Sequence, residues 1–472
     1  MVAAVVEGTR ARKAPNLSVV AKNDFTDLGN ARNFAHTYAG KLRYVHGREQ
    51  WLLWDGKRWK PDNKAGIMRY AKKFVNDLYR AAGVPGDVNF NEKQVKWAIQ
   101  SANKTRIDAM IALARSEADI AIEQEDLDRD NLLLNCANGT VDLRTFQLRK
   151  HDPNDLITRL VNVDYDPSAD CLNWLKFLET VFAGDWDTIN FMQRAIGYSI
   201  TGVIAEHVLF FCFGSGANGK STFIEIIAEL FAEHTARLRT EALMMREKSA
   251  IPADIATLAG ARLCVADENE ADQRWAENTV KQLTGGDQIT ARFMRQNFFT
   301  FTPTHHLWSV GNHKPMVKGT DNGMWRRMRL IHFKVTIPEE KRDPDLRDKL
   351  RREFPGILAW AVIGTAEWRQ HGVGWSPAVE ADTLEYRAEM DLIADIIEQC
   401  YERDEKAQLP VSEAWAAARK WMQDAGEERA ISTQRKLSTL LLDRGWLKRK
   451  SHGREYWIGW KIAGVKTGEI PF

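Results

Sequence analysis

Val208-Leu209-Phe210-Phe211-Cys212-Phe213, followed by Gly214-Ser215-Gly216-Ala217-Asn218-Gly219-Lys220-Ser221, decides the fold. Six apolar residues without alternation suit a strand buried on both faces of a parallel sheet. The next eight match G-x-x-x-x-G-K-S, and Phe223, Ile226, Ile227, Leu230 and Phe231 then repeat at helical spacing. A strand before and an amphipathic helix after are the context this motif requires. Glycines let backbone N–H groups turn inward around phosphates, and the helix N-terminus adds partial positive charge. Gly214 to Ser221, with Thr222, are therefore candidate ligands for a nucleoside triphosphate. Lys220 is expected to reach the β- and γ-phosphates, and the Ser221 hydroxyl to ligate Mg2+.

Two more buried strands add chemistry. Arg262-Leu263-Cys264-Val265-Ala266 runs into Asp267-Glu268, 46 residues after Ser221 (267 − 221). Asp267 is placed to hold Mg2+ through water, and Glu268 to polarise the attacking water. His306-Leu307-Trp308-Ser309-Val310-Gly311 ends in Asn312. Its amide either orients the water or the γ-phosphate, or simply forms a turn. From about 208 to 335, strands and helices alternate in α/β fashion.

Lys281, Gly285-Gly286-Asp287 and Arg292 lie between the second and third motifs. With Leu258-Ala259-Gly260-Ala261-Arg262, Thr284 before the glycine pair, Phe301-Thr302-Pro303-Thr304, Asn312 followed by Pro315, and Trp325-Arg326-Arg327, the pattern resembles superfamily 3 helicases. It is more closely similar to the phage/plasmid primase-helicase family that includes the poxvirus helicase-primase, over about residues 130–335. The resemblance implies an AAA+-like core, a hexameric ring encircling single-stranded DNA, ATP with Mg2+, and 3′-to-5′ translocation. It also implies that Arg326 or Arg327 is an arginine finger reaching the neighbouring subunit. A basic cluster after a Gly-rich loop (Gly319 to Gly323) suits that role, while one of the two arginines suits a structural salt bridge.

The sequence departs from the family twice. Many relatives carry an uncharged residue where Asp267 stands. Fuller members also carry an N-terminal primase-polymerase domain, whereas the first 130 residues here show neither a paired-Asp polymerase site nor zinc ligands. Primer synthesis is not expected, and a separate primase is a candidate partner.

Residues 289–301 read as a hairpin with a basic tip, which in the resembled family projects into the central channel. Lys281, Arg292 and Arg295 are the candidate single-strand contacts. Against this, Arg292 could pair with Asp287, and the phenylalanines could be core on one face. Residues 429–454 hold eight Lys/Arg against one Asp. Ser432 is expected to cap a helix through Leu437, Leu440, Leu441 and Leu442. A strand-turn-strand with Lys448, Arg449, Lys450 and Arg454 follows it. Helix then basic hairpin is the layout of a winged helix, which points to duplex origin DNA.

The rest of the chain frames these motifs. Residues 1–22 read as a disordered tail. Residues 23–170 read as an α+β scaffolding or oligomerisation domain, with hairpins at Asp55-Gly56 and Asn138-Gly139 and a helix from Ile67 to Tyr79 closed by Gly83. The ATPase core is set at 171–340, a solvated acidic helical connector at 341–405, and the winged-helix-like domain at 406–472. A net charge of +2 confines any nucleic-acid signal to local patches. The 17 Trp read chiefly as core and domain-interface packing. Five scattered Cys, without a C-x-x-C pair, argue against a zinc site and suit a reducing cytoplasm, here that of a bacterial host. No window approaches a membrane span.

The function expected is thus an ATP-driven replicative helicase of a phage, plasmid or related mobile element. The alternative is an origin-binding initiator that uses ATP as an assembly switch. A small-molecule kinase would leave the basic hairpin, the arginine pair and the chain length unexplained.

Overall fold

The computed structural model describes residues 24–464 except 84, 86–89, 246–252, 270–272, 294–296, 318–321, 429–430, 443 and 452, and the side chains of 267–269. The expected tail, residues 1–22, lies outside the described residues.

The N-terminal α+β unit runs α1 (Asp27–Thr37), β1 (Leu42–Val45), β2 (Gln50–Trp54), β3 (Trp59–Pro61), α2 (Gly66–Ala81), α3 (Glu92–Ser101), α4 (Lys104–Ala114) and β4 (Ala121–Ile122). Its sheet is ordered β3-β2-β1-β4. The expected hairpin is there, with Trp54 opposite Trp59 and Gly56 at φ +102° in the turn. Phe34, Phe74 and Met110 pack the helices together.

A three-stranded meander follows: β5 (Leu133–Cys136), β6 (Gly139–Asp142) and β7 (Gln147–Arg149). Its turn corrects the sequence reading. Cys136 pairs with Gly139, so the loop is Ala137-Asn138 rather than Asn138-Gly139. The Asn138 side chain instead clamps Tyr165, accepting from its N–H and donating to its carbonyl. Gly139 is small because a Cβ there would lie 2.4 Å from the Arg149 carbonyl oxygen. Leu134, Cys136, Val141 and Leu143 join the large central core, although this stretch was expected to belong with the N-terminal domain.

Helices α5 (Leu172–Val181) and α6 (Trp186–Ser199) lead into the central α/β unit. It comprises β8 (Leu209–Phe213), α7 (Lys220–Leu230), β9 (Thr235–Leu238), β10 (Leu263–Asn269), α8 (Glu277–Leu283), a hairpin of β11 (Ile289–Ala291) and β12 (Phe299–Phe301), β13 (His306–Gly311), α9 (Asn322–Trp325) and β14 (Met328–His332). The five-stranded sheet is ordered β14-β8-β13-β10-β9, and every pairing in it is parallel. As the unalternated run of β8 requires, Phe210 and Cys212 enter one apolar layer while Leu209 and Phe211 enter the other.

Next come α10 (Leu346–Arg352), α11 (Phe354–His371) and α12 (Pro377–Glu389). They are no solvated connector. Ile357, Leu358 and Ala361 of α11 lie in the same core as α6, and Tyr386 of α12 packs beneath the other sheet face. Asp345, Asp348, Glu380, Glu385 and Glu389 are exposed, whereas Asp382 is buried and takes Lys334 at 2.8 Å.

The chain continues as α13 (Leu392–Cys400), β15 (Tyr401–Pro410), α14 (Val411–Asp424), α15 (Gln434–Leu442), β16 (Leu447–Ser451) and β17 (Arg454–Ile462), with sheet order β15-β17-β16. The helix expected up to 405 ends at Cys400, because Tyr401 to Pro410 pair with β17. One core runs from Ile393 to Trp457, so this packing begins before residue 406. The cap of α15 is Thr433, not Ser432: its Oγ accepts the Lys436 N–H at 3.2 Å. Among the described residues no helix is long and apolar enough to cross a membrane.

Candidate nucleotide site

The C-terminal ends of three parallel strands build the site, as expected for ligands of open α/β sheets. β8 feeds the loop 214–219, which turns into α7. Gly216 and Gly219 hold φ of +98° and +85°, and a Cβ on Gly219 would lie 2.4 Å from Val181 Cγ1. Ala217 also takes a left-handed φ of 49°. Two anchors fix the loop: the Ile337 N–H donates to the Ala217 carbonyl at 2.8 Å, and Asn218 Nδ2 donates to the Phe333 carbonyl at 3.1 Å. No side chain caps α7, so its N-terminus is open to an anion.

Lys220 is only 2% exposed. Its ammonium donates to the Gly214 carbonyl at 3.2 Å and to Asn312 Oδ1 at 2.9 Å. Asn312 follows β13, whose Gly311 pairs with Phe213 of β8, so strand register brings lysine and amide together. Beneath them, burial pushes the Cys212 thiol up to about 12, with the Lys220 charge pulling the other way, and the thiol stays neutral. Ser221 is exposed in the first turn of α7, and Thr222 is half-buried beside it.

Asp267 and Glu268 lie in β10, the strand next to β13, where the register shifts between Ala266 and Asn269. Their side chains lie outside the described residues. The donor set fits a phosphate chain with Mg2+: a buried ammonium, an uncapped helix N-terminus, a first-turn hydroxyl and two acids on a neighbouring strand.

The arginine pair divides. Arg327 Nε donates to Thr284 Oγ1 at 3.1 Å and its NH1 to the Gly323 carbonyl at 2.7 Å, tying α9 to the Thr284-Gly285-Gly286 element. Arg326 is exposed, and among the described residues no carboxylate pairs with it. Gly319, in the expected glycine-rich loop, lies outside the described residues.

Sequence reading missed a cavity of about 470 Å³ beside the loop, lined by Phe177, Thr180, Ala217, Thr222, Ile337 and Leu346 among others. The only signal for it was the apolar spacing of α5. Ile337 and Leu346 come from a distant segment without a motif.

Two family models match the chain: one described as "D5 N terminal like", over residues 31–183, and one described as a family of unknown function, over residues 212–327. The second match spans the phosphate loop, both acids, Asn312 and both arginines. Relatives include "Putative helicase L207/L206" of Acanthamoeba polyphaga mimivirus, 27% identical over 64% of this chain and 34% of that protein. "Putative helicase 022R" of Frog virus 3 is 26% identical over 60% and 30%. "Putative primase C962R" of African swine fever virus (isolate Tick/Malawi/Lil 20-1/1983) is 22% identical over 65% and 35%. The chain is thus similar in part to viral proteins named putative helicases and primases. It spans about a third of the length of the curated relatives it matches. The apo A form of the NrS-1 C-terminal region shares its fold, with a TM-score of 0.52 at 9% identity, over 91% of this chain and 99% of that one.

Outside the phosphate site, the chain carries two basic hairpins. In the first, Ile289, Thr290 and Ala291 pair with Phe301, Thr300 and Phe299. Arg292 is exposed at its tip, and its guanidinium lies 4.8 Å from the centre of the Phe298 ring. The alternative pairing with Asp287 is not formed. Phe299 and Phe301 pack on the core, whereas Phe293 and Phe298 are 40% and 57% exposed. Lys281 lies in α8, half-buried. Arg295 lies outside the described residues.

In the second hairpin, β16 and β17, Arg449, Lys450 and Arg454 are exposed. Lys448 is not: its ammonium pairs with Glu455 at 2.5 Å and lies 5.6 Å from the Trp457 ring centre. That partner sets it apart from the three exposed cations.

Proposed function

We propose that this chain is an ATP-dependent helicase motor that translocates on single-stranded DNA as a homo-oligomeric ring of AAA+-like subunits. The observation that carries the reading is the meeting of buried Lys220 with Asn312 at the edge of the parallel sheet. Counted from β8, the strand order is 5-1-4-3-2. The phosphate loop follows the first strand, the acids lie on the third and Asn312 follows the fourth. That combination supports an AAA+-like ATPase over a small-molecule kinase.

In this reading Gly214 to Thr222 hold ATP, and the 470 Å³ cavity takes its base and sugar. Lys220 exchanges the Gly214 carbonyl and Asn312 for phosphate oxygens. Asn312, so released, orients water or the γ-phosphate, and Glu268 takes the water's proton. Ser221 and, through water, Asp267 would hold Mg2+, which would supply neutralisation of phosphate charge. Arg326 reaches the site of the adjacent subunit, and Arg327 holds its base in place. Arg292 with Phe298, Lys281 and Arg295 grip the strand in the channel. A hexamer and 3′-to-5′ movement rest on the family resemblance, and so does a mobile-element setting in a host cytoplasm.

A second reading, an origin-binding initiator, is favoured by the C-terminal unit. Its order α13-β15-α14-α15-β16-β17 suits a winged helix, with Arg449, Lys450 and Arg454 exposed on the hairpin that would be the wing. Footprinting without a preferred duplex site removes it.

ATP turnover by Glu268→Gln beside the parent tests the ATPase. The variant should bind ATP and turn it over on the order of 10²-fold more slowly or worse. Unchanged turnover removes Glu268 from the chemistry and this mechanism with it.

A further inference from the structure

We infer that the N-terminal α+β unit carries a second single-strand binding site, in the groove between the β2–β3 hairpin and α2. The two elements frame an open cavity of about 580 Å³, within the range of ordinary ligand sites. Its lining combines two partly exposed rings, Trp54 and Tyr70, with four exposed cations, Lys60, Lys64, Arg69 and Lys73.

The facing acids are accounted for. Asp62 turns its carboxylate onto the start of α2, accepting from the N–H groups of Gly66 at 2.6 Å and Ile67 at 2.8 Å, and so offers little charge to a ligand. Asp55 takes Lys60 at 2.9 Å, and Asp77, one turn along α2, takes Lys73 at 2.6 Å. Lys64 and Arg69 have no carboxylate partner among the described residues; Arg69 NH1 donates only to the Lys64 carbonyl, at 3.2 Å. The groove thus presents two cations outside any ion pair, beside the hydrogen-bonded Asp62 carboxylate, with Lys60 on a largely exposed pair that contributes little and exchanges readily and Lys73 held by the buried Asp77.

Cations beside partly exposed rings in an open groove are the chemistry that holds a single strand: phosphates to the ammonium and guanidinium groups, bases against the rings. A duplex hides its base faces, so Trp54 and Tyr70 would have no use on it. A free nucleotide would want an enclosed, directional phosphate site of the kind found at Lys220, not four spread cations. The hairpin's rigidity supports a preformed groove. Trp54 leans on fully buried Trp59 at 5.6 Å between ring centres, and Tyr70 on Tyr38 at 5.0 Å. This site does not depend on the ATPase, and it would hold the strand outside the ring of central hairpins.

The test is equilibrium binding of a fluorescent oligo-dT of about 12 nucleotides to the full chain without nucleotide. Parent and Lys64→Glu/Arg69→Glu are compared, with ATP turnover as a check on folding of the double variant, and Arg292→Ala is measured beside them as the channel-hairpin control. Affinity should fall about tenfold or more in the double variant. The slope of log affinity against log salt should shrink by about 0.7 per lost contact. A 5-iodouracil oligonucleotide should photo-crosslink to Trp54 or Tyr70. Unchanged affinity and slope in the double variant would overturn the inference, as would crosslinks confined to residues 289–301. Equal effects on a blunt duplex, or on ATP binding, would overturn the single-strand assignment. Loss of binding in Arg292→Ala alone would leave the motor reading intact and remove this site.

Discussion

Lys220 Nζ stands 2.9 Å from Asn312 Oδ1, joining the start of α7 to the end of β13 across the edge of the sheet. The contact satisfies a buried ammonium in the resting chain and keeps both groups where a γ-phosphate would arrive. Asn312→Ala should therefore lower turnover by about 10²–10³-fold while changing ATP affinity little, since an interaction made chiefly in the transition state is lost. Turnover kinetics with a fluorescent-nucleotide titration check this. Equal losses of affinity and rate would make Asn312 a ground-state ligand instead.

The two adjacent arginines should fail in different ways. Arg326→Ala should cost turnover about 10³-fold or more with the melting temperature unmoved, as loss of a finger does. Arg327→Ala should destabilise the fold by about 1–3 kcal/mol, because it breaks the link to Thr284 and the Gly323 carbonyl. Mixing Arg326→Ala with Lys220→Ala should restore part of the turnover, each supplying what the other lacks. No recovery on mixing would contradict a finger supplied between subunits.

Stability should fall with pH in a defined window. His234 is held neutral by burial and then by the guanidiniums of Arg262, Arg159 and Arg58. Burial, aided by His306, lowers His305 to about 3. Both values lie below that of the unfolded chain, near 6.5. The stability they confer is therefore present above pH 6.5 and is lost as pH falls toward the folded values. Each neutral histidine should contribute a loss of about 1.4 kcal/mol per pH unit below 6.5. Denaturant midpoints between about pH 7.5 and 5 measure it, and a flat profile would contradict the buried-neutral assignment.

Helices α6 and α11 meet at glycines. A Cβ on Gly197 would lie 2.0 Å from the Gly364 carbonyl carbon. Gly197→Ala should destabilise by about 1–3 kcal/mol or more through overpacking and lower the melting temperature by several degrees. An unchanged melting temperature would mean the helices are free to separate.

The sequence was most legible where backbone and chemistry coincide. The run 208–213 followed by its glycine-rich loop placed β8 and α7 closely, because a doubly buried strand and a phosphate loop leave few other readings. Asn312 was placed correctly at a strand end, yet its contact with Lys220 depends on β13 lying beside β8, a pairing that no local pattern specifies. The split between Arg326 and Arg327 depends on Thr284, over forty residues away. At residues 380–405, the acids suggested a solvated helix, but the apolar set Ile393, Ile396, Cys400 and Tyr401 packs in one core with α14 and β17. The run of charged residues from Glu402 to Lys406 hid the strand β15. The turn at Ala137-Asn138 was misread because Gly139 is needed for close packing, not for positive φ.

The most direct measurement is the ATP turnover of the parent chain with and without oligo-dT, repeated for Arg292→Ala. If the chain is a single-strand motor, DNA should raise the parent's turnover several-fold and the variant should lose that increase while keeping its basal rate. Turnover indifferent to DNA in both proteins would leave an ATPase and contradict the motor.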